Sequence, residues 1–228
     1  MKKTALVTGA SQGIGRALVQ ALVAREVEVF ATGRDPERLQ AVLAETGAQG
    51  AAFDLSEPKA AGKLYQAARR ALGDAPLFVV NNAGFNSRKA PIVETDDDEI
   101  ERLYEVNLRA PMALCREALR DMSERGSGHI VNVISTVVHH GVEQMALYSA
   151  MKFGLHGFTK VLIKEARPFG VKVTGVYPGG TDTGFRANPR PDYLRPESAA
   201  HMIVETLFAP SDVVVHELTF RPIVEANF

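Results

Sequence analysis

Seven short apolar runs alternate with longer amphipathic ones along the chain. The runs TALVT (4–8), EVEVFAT (26–32), GAAFDL (50–55), LFVVNN (77–82), HIVNVIS (129–135), VKVTGVY (171–177) and VVVHELTF (213–220) are mostly near-continuous in β-branched and apolar residues. Such runs read as strands buried on both faces. Between them the spacing of apolar positions predicts helices over 14–25, 36–45, 57–72, 96–124, 145–167 and 196–208. Strand–helix–strand alternation repeated this often makes a parallel sheet with helices on both faces. The expected fold class is α/β: a single doubly wound (Rossmann) domain over 1–228, with a seven-stranded, mostly parallel sheet. Ligands of such a fold bind beyond the carboxyl ends of the strands. The proline-rich stretch NPRPDYLRPE (188–197) falls there, after the sixth strand. Together with the residues before it (180–197) it is the candidate substrate loop.

Composition narrows the class further. The net charge is −1, which argues against nucleic acid or an acidic membrane as partner. The single cysteine, Cys115, excludes a disulfide or a cysteine-based zinc site within the chain. No apolar run reaches the length of a membrane span, and the first one stops too soon for a signal-peptide core. A cytoplasmic location is expected.

The segment TALVTGASQGIGRALVQAL runs strand, glycine turn, helix. Gly9 can make the tight turn, Gly13 removes a side chain where a pyrophosphate would approach, and Gly15 lets the helix pack close to the sheet. Backbone N–H groups and the helix dipole then face an anion. Flanked by a strand and an amphipathic helix, this turn predicts a dinucleotide site. An acidic residue at the end of the second strand would favour NAD. Gly33 holds that place, and Asp35, followed by Pro36, reads as a helix cap. Arg34 can pair with a 2′-phosphate, so NADP is favoured over NAD.

A second device lies downstream. Tyr148 and Lys152 are four residues apart and share one helix face. A phenol with a pKa of ~10 is a poor base at neutral pH, and a nearby ammonium favours its ionised form. Lys152 can therefore tune Tyr148 for proton transfer. Ser135 could hydrogen-bond the same substrate oxygen.

TGASQGIG (8–15), NNAG (81–84), Asn107, Ser135, Tyr148, Lys152 and PGGTDT (178–183) resemble the short-chain dehydrogenases/reductases, from residue 4 to about 208. The resemblance implies roles residue by residue. Gly9, Ser11, Gly13, Ile14 and Gly15 would line the pyrophosphate, and Asp54 and Leu55 would flank the adenine. Asn81, Ala83 and Gly84 would sit beside the adenine ribose and the sheet. Pro178, Gly179 and Thr183 would hold the nicotinamide end, with Lys152 on its ribose. Ser135, Tyr148 and Lys152 would form the catalytic group, with Asn107 holding a water of a proton relay.

The implied activity is an NADP(H)-dependent oxidoreductase interconverting a carbonyl and a secondary alcohol, with a small-molecule substrate and no metal. A 3-oxoacyl-thioester reductase, a broad carbonyl reductase and a hydroxy-acid dehydrogenase all fit that class. A dinucleotide-sensing binding protein without turnover is the rival of a different class. A sugar-nucleotide epimerase would need a larger substrate domain than this chain has room for. The long helices 96–124 and 145–167 would pair across a homodimer or tetramer.

Three departures stand out: Tyr177 where the family usually has Asn, Met151 where it often has Ser, and a C-terminal segment without the usual glycines. His139, His140 and Glu143 lack metal-site spacing and read as pocket lining. Arg186, Arg190 and Arg195 crowd the proline-rich loop, more as a solvated face than as an anion site. Thr95 or Asp96 would cap the long helix.

Overall fold

The strands are β1 (Thr4–Thr8), β2 (Glu28–Thr32), β3 (Gln49–Gly50), β4 (Phe78–Asn81), β5 (Gly128–Val133), β6 (Val171–Pro178) and β7 (Glu217–Phe220). The computed structural model describes residues 2–73, 77–185 and 188–225. All seven strands form one parallel sheet in the order β3-β2-β1-β4-β5-β6-β7. The strand order reverses between β1 and β4, and ligands of such sheets bind in the crevice opened there. Among the described residues no helix is long and apolar enough to cross a membrane.

Successive strand residues face opposite layers. Ala5 and Val7 pack against the layer of α1 (Gly13–Val23), α2 (Pro36–Thr46) and α7 (Pro196–Leu207). Leu6 packs against α3 (Ala60–Leu72), α5 (Ala110–Arg125) and α6 (Ala146–Ala166). Both faces of the inner strands are buried, which is why those strands carry no polar alternation, while the edge strands β3 and β7 stay partly exposed.

Three predicted elements changed. The expected strand over 50–55 keeps only its first residue in the sheet. Past Gly50 the Thr32 hydroxyl donates to the Ala51 carbonyl at 2.8 Å, a side chain in place of a ladder partner, and Asp54 then accepts the N–H and hydroxyl of Ser56 at 2.9 and 2.6 Å in the turn that follows. The helix expected over 96–124 is broken into α4 (Asp97–Tyr104), a π-helical turn (Glu105–Arg109) and α5. Pro111 has no amide hydrogen for the Asn107 carbonyl four residues back, so the regular ladder cannot continue there. The last strand shrinks from 213–220 to Glu217–Phe220. Upstream of it the backbone acceptors serve side chains: Lys172 Nζ takes Pro210 and Val213, and Thr174 takes Val215. Capping follows the sequence more closely. Asp35 accepts from the N–H groups of Glu37 and Arg38, and Asp96, not Thr95, accepts from that of Glu99.

Candidate active site

The carboxyl ends of β1, β2, β4, β5 and β6 open into one cavity of about 860 Å³. Gly9, Ser11, Gly13 and Ile14 form its wall at the start of α1. No acidic side chain stands in the first turn of that helix, so its exposed N–H groups remain available to an anion. Thr8 stitches the neighbouring edge. Its Oγ1 accepts from the N–H groups of Asn82 and Ala83 at 3.0 and 2.9 Å, and this brings Ala83 and Gly84 into the wall.

β2 stops at Thr32, where the run 26–32 ends, and Gly33 follows it. Arg34 lines the cavity there, and so does Arg38, which the sequence reading did not single out. Arg38 is held by Gln12 at 2.8 Å and by the capping carboxylate of Asp35 at 3.2 Å. Asp54 and Leu55 close this end. Burial works to raise the Asp54 carboxyl. The hydrogen bonds from Ser56 and the charges of Arg34 and Arg102 outweigh it and hold the group below its ordinary range.

At the other end α6 presents Tyr148 and Lys152 from its first two turns, both buried. The Lys152 Nζ lies 5.7 Å from the centroid of the Tyr148 ring and donates to the carbonyl of Val133, the last residue of β5, at 3.0 Å. Burial depresses the Lys152 ammonium to about 8. Ser135 follows β5 in the same wall, and its Oγ accepts from the Val137 N–H at 3.3 Å, capping a short 3₁₀ turn. Pro178, the last residue of β6, completes the floor with Gly179 and Thr183.

Three residues assigned from the sequence stand behind this wall. Gly15 packs on the turn: a Cβ there would lie 2.1 Å from the Gly9 carbonyl oxygen. Asn81 points away into the α5 layer, donating to Asn132 at 2.8 Å and to the Cys115 sulfur at 3.3 Å. Asn107 bonds the backbone of Phe85, accepting at 3.2 Å and donating at 3.1 Å. Its carboxamide buttresses the chain at Gly84 and does not face the cavity. In the sequence all three differ in no visible way from their neighbours that do face it.

The substrate end is framed by Asn86, Val137, His140, Met145, Phe185 and Tyr193. Glu225, from the C-terminal segment, also reaches the wall, and nothing in the spacing pointed to it. His139 packs on the buried Tyr177, whose hydroxyl bonds His156 Nδ1 at 3.0 Å. No cluster suited to a metal ion occurs among the described residues. Arg190 pairs with Asp192 and lies over the Tyr193 ring. Arg195 precedes α7, and Arg186 lies outside the described residues.

A family model described as "short chain dehydrogenase" matches residues 3–194. An uncharacterized oxidoreductase of Staphylococcus aureus (strain MRSA252) is 32% identical over 227 residues, covering 97% of each chain. The fold is similar to that of a metagenomic short-chain oxidoreductase in complex with NADP, at a TM-score of 0.87 and 30% identity over 98% of each chain. A serine dehydrogenase complexed with NADP+ superposes at a TM-score of 0.90 and 25% identity, covering 98% of this chain and 96% of its own. With most of its length matched by that family model, this chain belongs to the short chain dehydrogenase family.

Proposed function

We propose that the protein is an NADP(H)-dependent oxidoreductase that interconverts a carbonyl and a secondary alcohol. One observation carries this reading. Tyr148 and Lys152, one turn apart on α6, stand with Ser135 in the same cavity that runs to the N-terminus of α1.

The cavity suits a dinucleotide on its own chemistry. The start of α1 offers unopposed N–H groups to a pyrophosphate. Arg34 and Arg38 offer guanidinium groups to a 2′-phosphate, which favours NADP over NAD. The NADP-bound neighbours support the same choice. When bound, the nicotinamide supplies or accepts the hydride.

The protein's own residues handle the proton. In reduction the Tyr148 phenol donates its proton to the developing alkoxide, and in oxidation the phenolate takes it back. The Ser135 hydroxyl hydrogen-bonds the same oxygen, where charge develops. The Lys152 ammonium favours the phenolate through its charge. Asn107 positions the chain at Gly84 from behind. The exposed apolar side chains Met112, Phe153, Val161 and Phe169 on or beside α5 and α6 support a homodimer or tetramer built on those helices.

The test is a steady-state assay of NADPH and NADH against a panel of ketones and aldehydes, followed at the reduced nicotinamide absorbance. Turnover with NADPH preferred is expected. Tight NADPH binding without turnover on any member would replace this reading with dinucleotide sensing.

A further inference from the structure

The C-terminal segment reaches the cavity wall at Glu225. After β7 the chain turns at Pro222, whose carbonyl accepts from the Glu225 N–H at 3.1 Å. This brings the Glu225 carboxylate onto the backbone N–H of Gly180, at 3.1 and 3.3 Å to its two oxygens. Arg221 donates its Nε to the same carboxylate at 3.0 Å, and the side chains of this pair are only 15% and 20% exposed. One residue earlier, Gly179 donates to the carbonyl of Phe220 at 2.8 Å.

Gly180 is the root of the substrate loop. Its carbonyl accepts from the Leu194 N–H at 3.1 Å, and the Leu194 carbonyl accepts from the Asp182 N–H at 2.9 Å. The Tyr193 ring lies directly on Gly180: a Cβ there would come within 2.1 Å of the ring. From the same loop the Phe185 ring stands edge-on to Tyr148, with centroids 5.8 Å apart.

We propose that Glu225 is a positioning residue. Its carboxylate fixes Gly180, and through Gly180 it holds Tyr193 and Phe185 over the substrate face of Tyr148. The inference rests on reading Tyr148 as the proton donor. A charged acceptor sheltered from water makes a stronger grip on a backbone N–H than a neutral one. Phe185 and Tyr193 lie where substrate would be covered, whereas Tyr148 and Lys152 are held by α6. Loss of the grip therefore falls on substrate binding before it falls on chemistry.

The experiment compares full-length wild type, Glu225→Ala and Glu225→Gln. With the best carbonyl substrate, Glu225→Ala raises KM about tenfold and leaves kcat within about threefold. Glu225→Gln retains an acceptor for the Gly180 N–H and restores KM to within about twofold. Chymotrypsin supplies a readout that needs no turnover. Cleavage between Tyr193 and Leu194 runs about tenfold faster in Glu225→Ala than in wild type or Glu225→Gln. A wild type that binds NADPH without turnover defeats the enzyme reading, while the cleavage rates still decide whether Glu225 holds the loop. Wild-type KM and cleavage in Glu225→Ala would overturn the proposal. So would equal losses in both variants tracking a lowered unfolding midpoint, the mark of a merely structural contact.

Discussion

Lys152→Met tests the energetic cost of the candidate site. Lys152 is buried, and burial lowers its ammonium from 10.5 to about 8. The folded protein therefore disfavours the charged form by about 3 kcal/mol relative to water. Below pH 8 both folded and unfolded chains carry the proton, and the folded state bears the full cost. Between pH 8 and 10.5 the unfolded chain still binds a proton that the folded chain has released, so wild-type stability rises with pH. Above 10.5 the cost is gone. Methionine keeps an unbranched stem and removes the charge. It also removes the hydrogen bond to the Val133 carbonyl, worth about 1 kcal/mol. Urea unfolding at pH 7 should find the variant more stable by about 2 kcal/mol, with the gap closing by about pH 10. Activity should be severely reduced throughout. A stability gap that stays constant across this range would refute the reasoning, because the cost would then not be one of charge.

Tyr148→Phe should cut kcat by ~10²–10⁴ while NADPH affinity, measured by calorimetry, stays near wild type; an unchanged rate would remove the proton-donor role. Arg34→Ala should weaken NADPH about tenfold or more by loss of a charge-assisted contact and leave NADH nearly untouched. Equal losses for the two cofactors would sink the 2′-phosphate argument. Gly15→Ala forces a Cβ to within 2.1 Å of the Gly9 carbonyl oxygen. It should destabilise the fold by about 1–3 kcal/mol in urea titrations and weaken the dinucleotide. Wild-type values for both would mean that the turn relaxes freely.

The sheet was legible because its inner strands are buried on both faces, and near-continuous apolar runs such as LFVV have few other uses. β3 was not, because past Gly50 the Thr32 hydroxyl takes the Ala51 carbonyl, a side-chain hydrogen bond that hydropathy does not register. The break at Asn107 hid for a related reason. Its apolar spacing runs on through the π-helical turn, and only Pro111 signalled the interruption. At the site, motif residues fixed by local geometry were found together: Gly9, Gly13, Tyr148 and Lys152 all line one cavity. Asn81 and Asn107 show what motif reading does not separate, since both serve the wall from behind through pairings with distant residues. Arg38 was hidden inside a helix start read only for its cap. Glu225 meets Gly180 across 45 residues of sequence, a contact that no periodicity encodes.

The buried polar knot behind β4 has a practical side. Cys115 is the only cysteine in the chain, and it is fully buried between Asn81 and Asn132, with burial pushing its thiol up to about 12. A thiol so protonated and enclosed is inert to alkylating reagents. To such chemistry the folded protein behaves as if it had no cysteine at all. A single cysteine placed on the exposed part of the substrate loop would then be the sole reactive position, ready for a spectroscopic label without any prior substitution. The same enclosure makes Cys115 a reporter of a different kind, since its modification would time the opening of the core and not events at the surface.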